Sequence, residues 1–357
     1  MPPLAAKDRE ALSSFVMPSH GVGWPKRTSV HERAVKGGNP MLSRIAAALL
    51  LSLGLGQTWT SPISAQEPYP SRPITLIVPW GAGGGADRLG RIASKLLEPI
   101  LKVSLPVINV PGATGQTGLT KLITSAPDGY TIEVMTADTY PSFLGESSRF
   151  KQEQIKALAI MIQQPSGFFV SADRPWKNWD DVVKAAQERN LKVAVTGFGS
   201  PDDFTVRYMR SKGLKLDSVP FAEPGLRYSS IIGGQSDLLY EQAGDVRSFL
   251  VGNQMRPILF FSAKKFEPFP EVPFSKALGY DITLPQFRAM IVRADTDPAK
   301  VKMLADNLQT IARDPEFIAY LDQQMGDPNS FVGETEAEKF MKNWLDEARA
   351  VAAAAPK

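Results

Sequence analysis

The sequence predicts an α/β fold in which parallel strands are covered by helices. Three observations carry this expectation. Short apolar runs alternate with helical patterns from residue 74 onward; glycine-rich loops join strand to helix at 81–87, 109–118 and 196–203; and a second strand–helix set begins near residue 169. Alternation of this kind lays strands side by side and sends the chain back across the sheet as helix.

The elements follow in order. "ITLIVPW" (74–80) is an uninterrupted apolar run, the pattern of a buried strand. A helix is expected from about Ala86, with Leu89, Ile92, Leu96 and Ile100 on one face. "LPVINV" (105–110) is a second strand, followed by a glycine-rich loop and a short helix. "APDG" (126–129) is a turn with Pro second and Gly fourth, and "YTIEVMT" (130–136) is the next strand. The second set has a helix from about Trp179 to Arg189 and a strand at "LKVAVTG" (191–197). "GSPDDF" then opens a helix that stops near Gly213, and "LDSVPF", "SDLLYE" and "RPILFF" are further strands. "DITLPQFRAMIVRA" (281–294) is a long apolar stretch, and the tail is helical. Asp297-Pro298 and Asp314-Pro315 read as N-caps followed by proline at the first helical position. Thr335 and Glu338 fit a capping box ahead of Phe340, Met341, Trp344 and Leu345.

A chain of 357 residues with 43% hydrophobic and 22% charged content suits a globular protein of about two domains. The formal charge of +3 is concentrated at one end. Residues 1–40 hold six Lys/Arg and three Asp/Glu, and residues 41–65 add only Arg44, which leaves 33 basic and 34 acidic residues over 66–357. That balance provides no basic surface for nucleic acid.

Residues 41–65 read as a secretory signal peptide. Met41 is followed by Arg44, an apolar run from Ile45 to Leu55, and small or apolar residues at Ile63 and Ala65 in the −3 and −1 positions of a cleavage site. The run is shorter than the ~20 residues of a membrane span. Export to the periplasm is therefore expected. Residues 1–40 are polar and aperiodic; they are expected to be unstructured, with Met41 the true start. The chain has no cysteine, and both histidines, His20 and His31, precede the expected cleavage. The mature chain would then lack the residues for Ser-His-Asp or Cys-His catalysis and for zinc sites built on His or Cys. No cofactor is expected.

The loop "VPWGAGGGAD" (78–87) places Gly83, Gly84 and Gly85 directly before a helix. First-turn amides lack intrahelical partners and carry partial positive charge, and glycines let an anion reach them. A tight turn with close helix packing would use the same residues, so both readings stand. Gly81-x-Gly83-x-x-Ala86 matches a loose dinucleotide fingerprint, but the following strand ends in Val107-Ile108-Asn109-Val110 without the acid that fingerprint requires. Ser148-x-x-Lys151 and Ser262-x-x-Lys265 lack the companion motifs of S-x-x-K enzymes. The loop "NVPGATGQTG" (109–118) repeats the arrangement with Gly115 and Gln116, and "TGFGSPDD" (196–203) repeats it again. In the third loop Ser200 suits an N-cap, Pro201 the first helical position and Asp203 the acid of a capping box. Capping explains Asp202 and Asp203 without ligand contact.

Taken together, "YPSRPITLIVPWGAGGGADRLGR", "VINVPGATGQTG" and "APDGYTIEVMT" resemble the substrate-binding receptors of tripartite tricarboxylate transporters, the Bug family, over roughly residues 69–350. "GFGSP" and "IIGGQSDLLYE" extend the match. The resemblance implies a two-lobe periplasmic binding protein, type 2-like, with a ligand cleft and a hinge between lobes. Domain one would combine residues 66–168 with 286–357, and domain two would be 169–285. Such a receptor is not an enzyme. It captures a small carboxylate, works as a monomer and delivers its ligand to integral-membrane permease subunits.

The resemblance also implies roles. Trp80, Gly83, Gly84, Gly85, Ala86 and Asp87, with Gly115 and Gln116, would hold one end of the ligand from lobe one, largely through amides. Thr136, Ala137 and Asp138 would line the same pocket. Gly197, Gly199, Ser200, Asp203 and Glu241 would contribute from lobe two. Trp80 either stacks on a ligand ring or packs beside its strand, and Arg88 and Arg91 read as surface ion-pair residues. The sequence departs from the family pattern at Asp203, where histidine is common, at Tyr240-Glu241 in place of Phe-Asp, and at Ala222-Glu223-Pro224 in place of Lys-Gly. These changes add acid to lobe two and suggest a ligand with a carboxylate at one end and a hydroxyl, amine or ring at the other. Two rival readings are an exported α/β enzyme using Asp87, Asp138, Asp202, Asp203 or Glu241, and a ligand-sensing subunit of a membrane kinase.

Overall fold

A chain that must build two sheets can cross between them only where backbone pairing is interrupted. The computed structural model describes residues 68–144 and 148–354. The expected leader and signal peptide lie outside the described residues. The first sheet contains β1 (Thr75–Val78), β2 (Val107–Asn109), β3 (Thr131–Thr136), β4 (Ile155–Gln164), β10 (Gln286–Arg293) and β11 (Val332–Gly333), in the order β11-β4-β10-β3-β1-β2. The second contains β5 (Ser166–Ser171), β6 (Leu191–Val195), β7 (Leu216–Pro220), β8 (Leu238–Gln242) and β9 (Met255–Phe261), in the order β7-β6-β8-β5-β9. Each sheet has a parallel trio, β2-β1-β3 and β7-β6-β8, flanked by antiparallel pairs.

The chain leaves the first sheet at Gln164 and joins the second at Ser166. Pro165 stands between them, and a residue without an N–H donor is suited to the point where a ladder ends. The boundary expected at residue 168 therefore falls inside β5. The return runs from the end of β9 at Phe261 to the start of β10 at Gln286. An apolar cluster continues behind both crossings, from Phe287 and Trp344 on one side to Phe168, Tyr240 and Phe261 on the other.

The helices are α1 (Gly85–Leu101), α2 (Gln116–Thr124), α3 (Trp179–Glu188), α4 (Pro201–Ser211), α5 (Pro224–Ile232), α6 (Arg247–Val251), α7 (Pro298–Ile311), α8 (Pro315–Gln323) and α9 (Glu334–Ala354). Two expectations need correction. The buried stripe of α1 is Leu89, Ala93, Leu97 and Leu101, whereas Ile100 is 41% exposed. The large side chains mark the wrong stripe because small residues set the packing face: a Cβ on Gly90 would come within 2.9 Å of Val78 Cγ2. The capping box at Thr335 does not form. Helix α9 begins at Glu334, directly after β11, so Thr335 lies in its first turn, and Glu338 Oε1 instead accepts from Lys156 Nζ at 2.9 Å. The other two caps form: Asp297 accepts from the amides of Ala299 and Lys300, and Asp314 from that of Glu316.

One core residue is out of character. Glu133 sits on β3 in register between Ile77 of β1 and Ile291 of β10, is fully buried, and neither of its carboxyl oxygens has a hydrogen-bond partner. Burial pushes its carboxyl well above the ordinary value.

Candidate functional site

The parallel trio of each sheet sends its carboxyl ends, and the glycine loops that follow them, toward the same cleft. Gly84 is the N-cap of α1, with φ −82° and ψ 175°, and offers no side-chain cap. The loop is braced instead by Asp87. Its Oδ2 accepts from the amide of Gly83 at 3.0 Å, Arg91 donates to both oxygens at 2.9 Å, and Asn109 Nδ2 donates at 3.0 Å. Burial works against ionisation of Asp87, but the Arg91 guanidinium and the loop donors outweigh it and hold the carboxyl below its usual value. Asp87 is therefore an internal brace. Gly85 and Ala86, as first-turn residues, have amides with no acceptor inside the helix, and both line the cavity between the lobes.

That cavity measures about 30 Å³, which is one water's share of liquid. Trp80, Gly84, Gly85, Ala86, Asp138 and Arg288 line it from the first lobe. Thr196, Pro224, Arg227, Glu241, Gln242 and Asp245 line it from the second. The glycines on its rim are points where the lobes touch. A Cβ on Gly81 would lie 1.8 Å from Glu223 Oε2, one on Gly84 2.8 Å from Pro224 Cγ, and one on Gly197 2.3 Å from Thr114 Oγ1. The glycines at these points let two surfaces meet without a gap.

The cations of the cleft are paired with the chain's own acids. Arg227, on α5, donates from Nη2 to Glu241 Oε2 at 2.6 Å and from Nη1 to the carbonyl of Phe221 at 3.0 Å. Arg288, on β10, donates to Gln164 Oε1 at 2.9 Å, to Gln242 Oε1 at 3.1 Å and to Asp245 Oδ2. Arg88 Nη2 reaches the other oxygen of Asp245 at 2.8 Å. Burial would raise the carboxyl of Asp245, but the guanidiniums of Arg288 and Arg88 win and hold it below the ordinary value. Asp138 and Asp202 go the other way. Burial raises both, and for Asp202 the charge of Asp138 adds to the shift.

The candidates named from sequence separate into three groups. Trp80, Gly84, Gly85, Ala86, Asp138 and Glu241 line the cavity. Others hold the site from behind it. Trp80 Nε1 donates to Thr136 Oγ1 at 3.1 Å, the amide of Ala137 donates to Gln286 Oε1 at 2.9 Å, and Gln286 Nε2 donates to Asp138 Oδ2 at 2.6 Å. Gly83 supplies its amide to Asp87, and Gly115 turns the chain into Gln116 and α2 with φ +83° and no room for a Cβ beside Thr139. The third group is capping structure. Ser200 accepts from the amide of Asp203 and donates to the carbonyl of Gly197, while Asp203 accepts from the amide of Gly199 and from Ser218 Oγ. Gly199 and Asp203 line a separate open groove of about 530 Å³ beside Phe198 and α4. Asp202 is held by the amide and hydroxyl of Thr196.

Sequence reasoning missed Thr196, Pro224, Arg227, Gln242, Asp245 and Arg288. Arg288 had a visible signal, a charge in the middle of an apolar run, since buried charges require partners. Arg227 and Asp245 had none, because their spacing looks like any polar helix or loop. Among the described residues no cluster of three or more His, Cys, Asp or Glu is placed to hold a metal ion, and no helix is long and apolar enough to cross a membrane.

Comparison with known proteins gives the site a context. The sequence profile described as "Tripartite tricarboxylate transporter family receptor" matches residues 90–353. The protein BugT of Bordetella pertussis is 26% identical over 254 residues, which are 68% of this chain and 77% of BugT. The crystal structure of a TctC solute binding protein from Polaromonas superposes with a TM-score of 0.60 at 26% identity, covering 80% of this chain and 99% of that one. A protein of R. palustris, solved with adipate, shares the fold with a TM-score of 0.75 at 18% identity, covering 80% of this chain and 98% of its own.

Proposed function

The chain belongs to the tripartite tricarboxylate transporter receptor family, and from that premise we propose that it captures a small carboxylate in the periplasm and passes it to integral-membrane permease subunits. The observation that carries this reading is the small cavity between two lobes, where first-turn amides of α1 and guanidiniums from both sides of the hinge converge. A cavity of about 30 Å³ admits no carboxylate of even a few carbons. The lobes must part about the crossings at Pro165 and at 262–285 and close again on the ligand, which is hinge motion of the binding-protein kind.

Binding without chemistry fits the electrostatics. Each cleft carboxylate is held by a donor: Glu241 by Arg227, Asp245 by Arg288 and Arg88, Asp202 by Thr196 and Asp138 by Gln286. Of these, Asp245 is held below its ordinary value by Arg288 and Arg88 and is a poor general base. Four charge-assisted hydrogen bonds would supply roughly 6–12 kcal/mol gross, and micromolar affinity needs about 8 kcal/mol net of the entropy of association. A thermal-shift screen of the purified protein against mono-, di- and tricarboxylates, aromatic acids and amino acids tests the reading. A stabilising shift with the compound recovered unchanged is the expected result. Turnover of the bound compound would replace the receptor with an enzyme.

A further inference from the structure

We infer that Thr114 is a closure residue: it seats on Gly197 of the other lobe, at the part of the seam far from the crossings, and holds the lobes together once they meet. The inference rests on the hinge motion of the receptor reading and adds a contact that closure makes.

The contact is close and covers Gly197. A Cβ on Gly197 would stand 2.3 Å from Thr114 Oγ1 and 3.2 Å from both its Cβ and its Cγ2. The whole threonine side chain therefore lies over the bare Cα of Gly197. Gly197 is buried, although Phe198 and Gly199 beside it are exposed. Its backbone is outside the left-handed region, so its own conformation does not call for glycine; room for Thr114 does. The hydroxyl of Ser200 donates to the carbonyl of Gly197 at 2.7 Å and ties this loop to the start of α4.

The backbone that carries Thr114 is out of the ordinary. φ is +129° at Gly112, +47° at Ala113, +54° at Thr114 and +83° at Gly115. Glycine adopts such angles freely, but a β-branched residue there is an outlier. The turn is held by backbone bonds within lobe one: the amides of Gly115 and Thr117 donate to the carbonyl of Gly112, and that of Gln116 to the carbonyl of Ala113. A glycine at 114 would make the same turn with less strain. What threonine adds is the group that reaches Gly197. Strain kept at one position for a contact made across the seam marks function rather than local folding.

Topology places the pair where it follows closure. Thr114 comes after β2, an edge strand three places from β10, and β10 receives the return crossing. Gly197 comes after β6, two places from β5, and β5 receives the first crossing. At about 4.8 Å per strand these are arms of roughly 14 and 10 Å. Rotation about the crossings therefore parts Thr114 from Gly197 further than it parts Arg288, on β10 itself, from Asp245.

The experiment is disulfide trapping of the purified full chain, which has no cysteine of its own. Thr114→Cys with Gly197→Cys, treated with diamide as the thiol oxidant, should form an intramolecular disulfide, because the two Cβ positions lie 3.2 Å apart, close to the ~3.5–4.5 Å of such bonds. Gly84→Cys with Pro224→Cys, whose Cβ positions are 3.5 Å apart, is a second trap at an independent point of the seam. Adding Thr114→Gly to this second pair should slow trapping about threefold, the loss expected for one buried methyl group. Thr114→Gly alone should unfold at the parental temperature or above it, because glycine relieves the turn. A folded Thr114→Cys/Gly197→Cys variant that does not cross-link, an unchanged trapping rate in the second pair, or a lower unfolding temperature for Thr114→Gly overturns the inference. The unfolding temperature needs no cysteine variant, so a misfolded pair, detected by circular dichroism, does not remove the test. All three measurements are made without ligand, so their failure leaves the receptor reading to the thermal-shift screen.

Discussion

Asp245, just past the end of β8 in the second lobe, pairs with Arg288 of β10 in the first, and both side chains are only 3% exposed. Arg88 of α1 takes the other oxygen of the same carboxylate. One acid from lobe two is thus shared by two cations from lobe one, and the closed arrangement is held by the protein's own charges.

Removing that acid should be expensive. Asp245→Ala leaves Arg288 buried with an uncompensated charge, and breaking such a pair costs about 3–5 kcal/mol. Arg88, about a third exposed, contributes the smaller share. Because the guanidiniums hold the folded carboxyl below its usual 3.8, the stability it adds is present above that value and lost as pH falls through the folded one. Urea unfolding should show the full deficit of the variant at pH 7 and a narrowing gap below about pH 4.

Glu133 gives the opposite sign. Its folded carboxyl is raised by burial, so the native state keeps a proton that the unfolded chain has released. Stability is whole below the unfolded value of about 4.5 and falls as pH climbs toward the folded one, by up to ~1.4 kcal/mol per pH unit. Glu133→Gln removes the ionisation. Chemical unfolding from pH 5 to 8 should find the variant progressively more stable than the parent, and equal slopes for the two would rule this account out.

Gly84→Val should keep the fold and lose the ligand. Gly84 has a negative φ that any residue adopts, so backbone strain is absent. Its added Cβ meets Pro224 of the other lobe at 2.8 Å, and the β-branch would prop the cleft apart. Small-angle scattering should report a larger radius of gyration, and the ligand-induced thermal shift should vanish. A shift of parental size would show that this rim does not close on ligand.

Ser200→Ala tests the capping role. Its buried hydroxyl accepts from the amide of Asp203 and donates to the carbonyl of Gly197. Loss of an N-cap costs about 1 kcal/mol and up to ~2 where the groups left behind are buried. Thermal unfolding of the variant should show that deficit, with amides of the first turn of α4 exchanging faster with solvent.

Much of the lobe architecture could be read along the chain. Strands at 75–78, 107–109 and 131–136 lie inside the apolar runs that predicted them, and the caps at Asp297 and Asp314 form as their Asp-Pro signals imply. Where reading failed, a nonlocal contact had intervened. The stripe of α1 is set by Gly90 meeting Val78, and Thr335 is no cap because β11 runs straight into α9. At the site, the glycine loops were visible, but their partners were not. Nothing within ten residues of Gly84 reveals that it faces Pro224.

The order of elements, the helix mouths stripped of side chains, and an excess of acid in the second half were properties of the sequence, because periodicity, capping and backbone freedom operate over a few residues. The tertiary structure alone decided which acids meet which cations. Arg88 and Asp245 are separated by 157 positions and Arg288 and Asp245 by 43. Such pairs are selected by how two crossings orient two sheets, and between the lobes that choice determines which charges are satisfied.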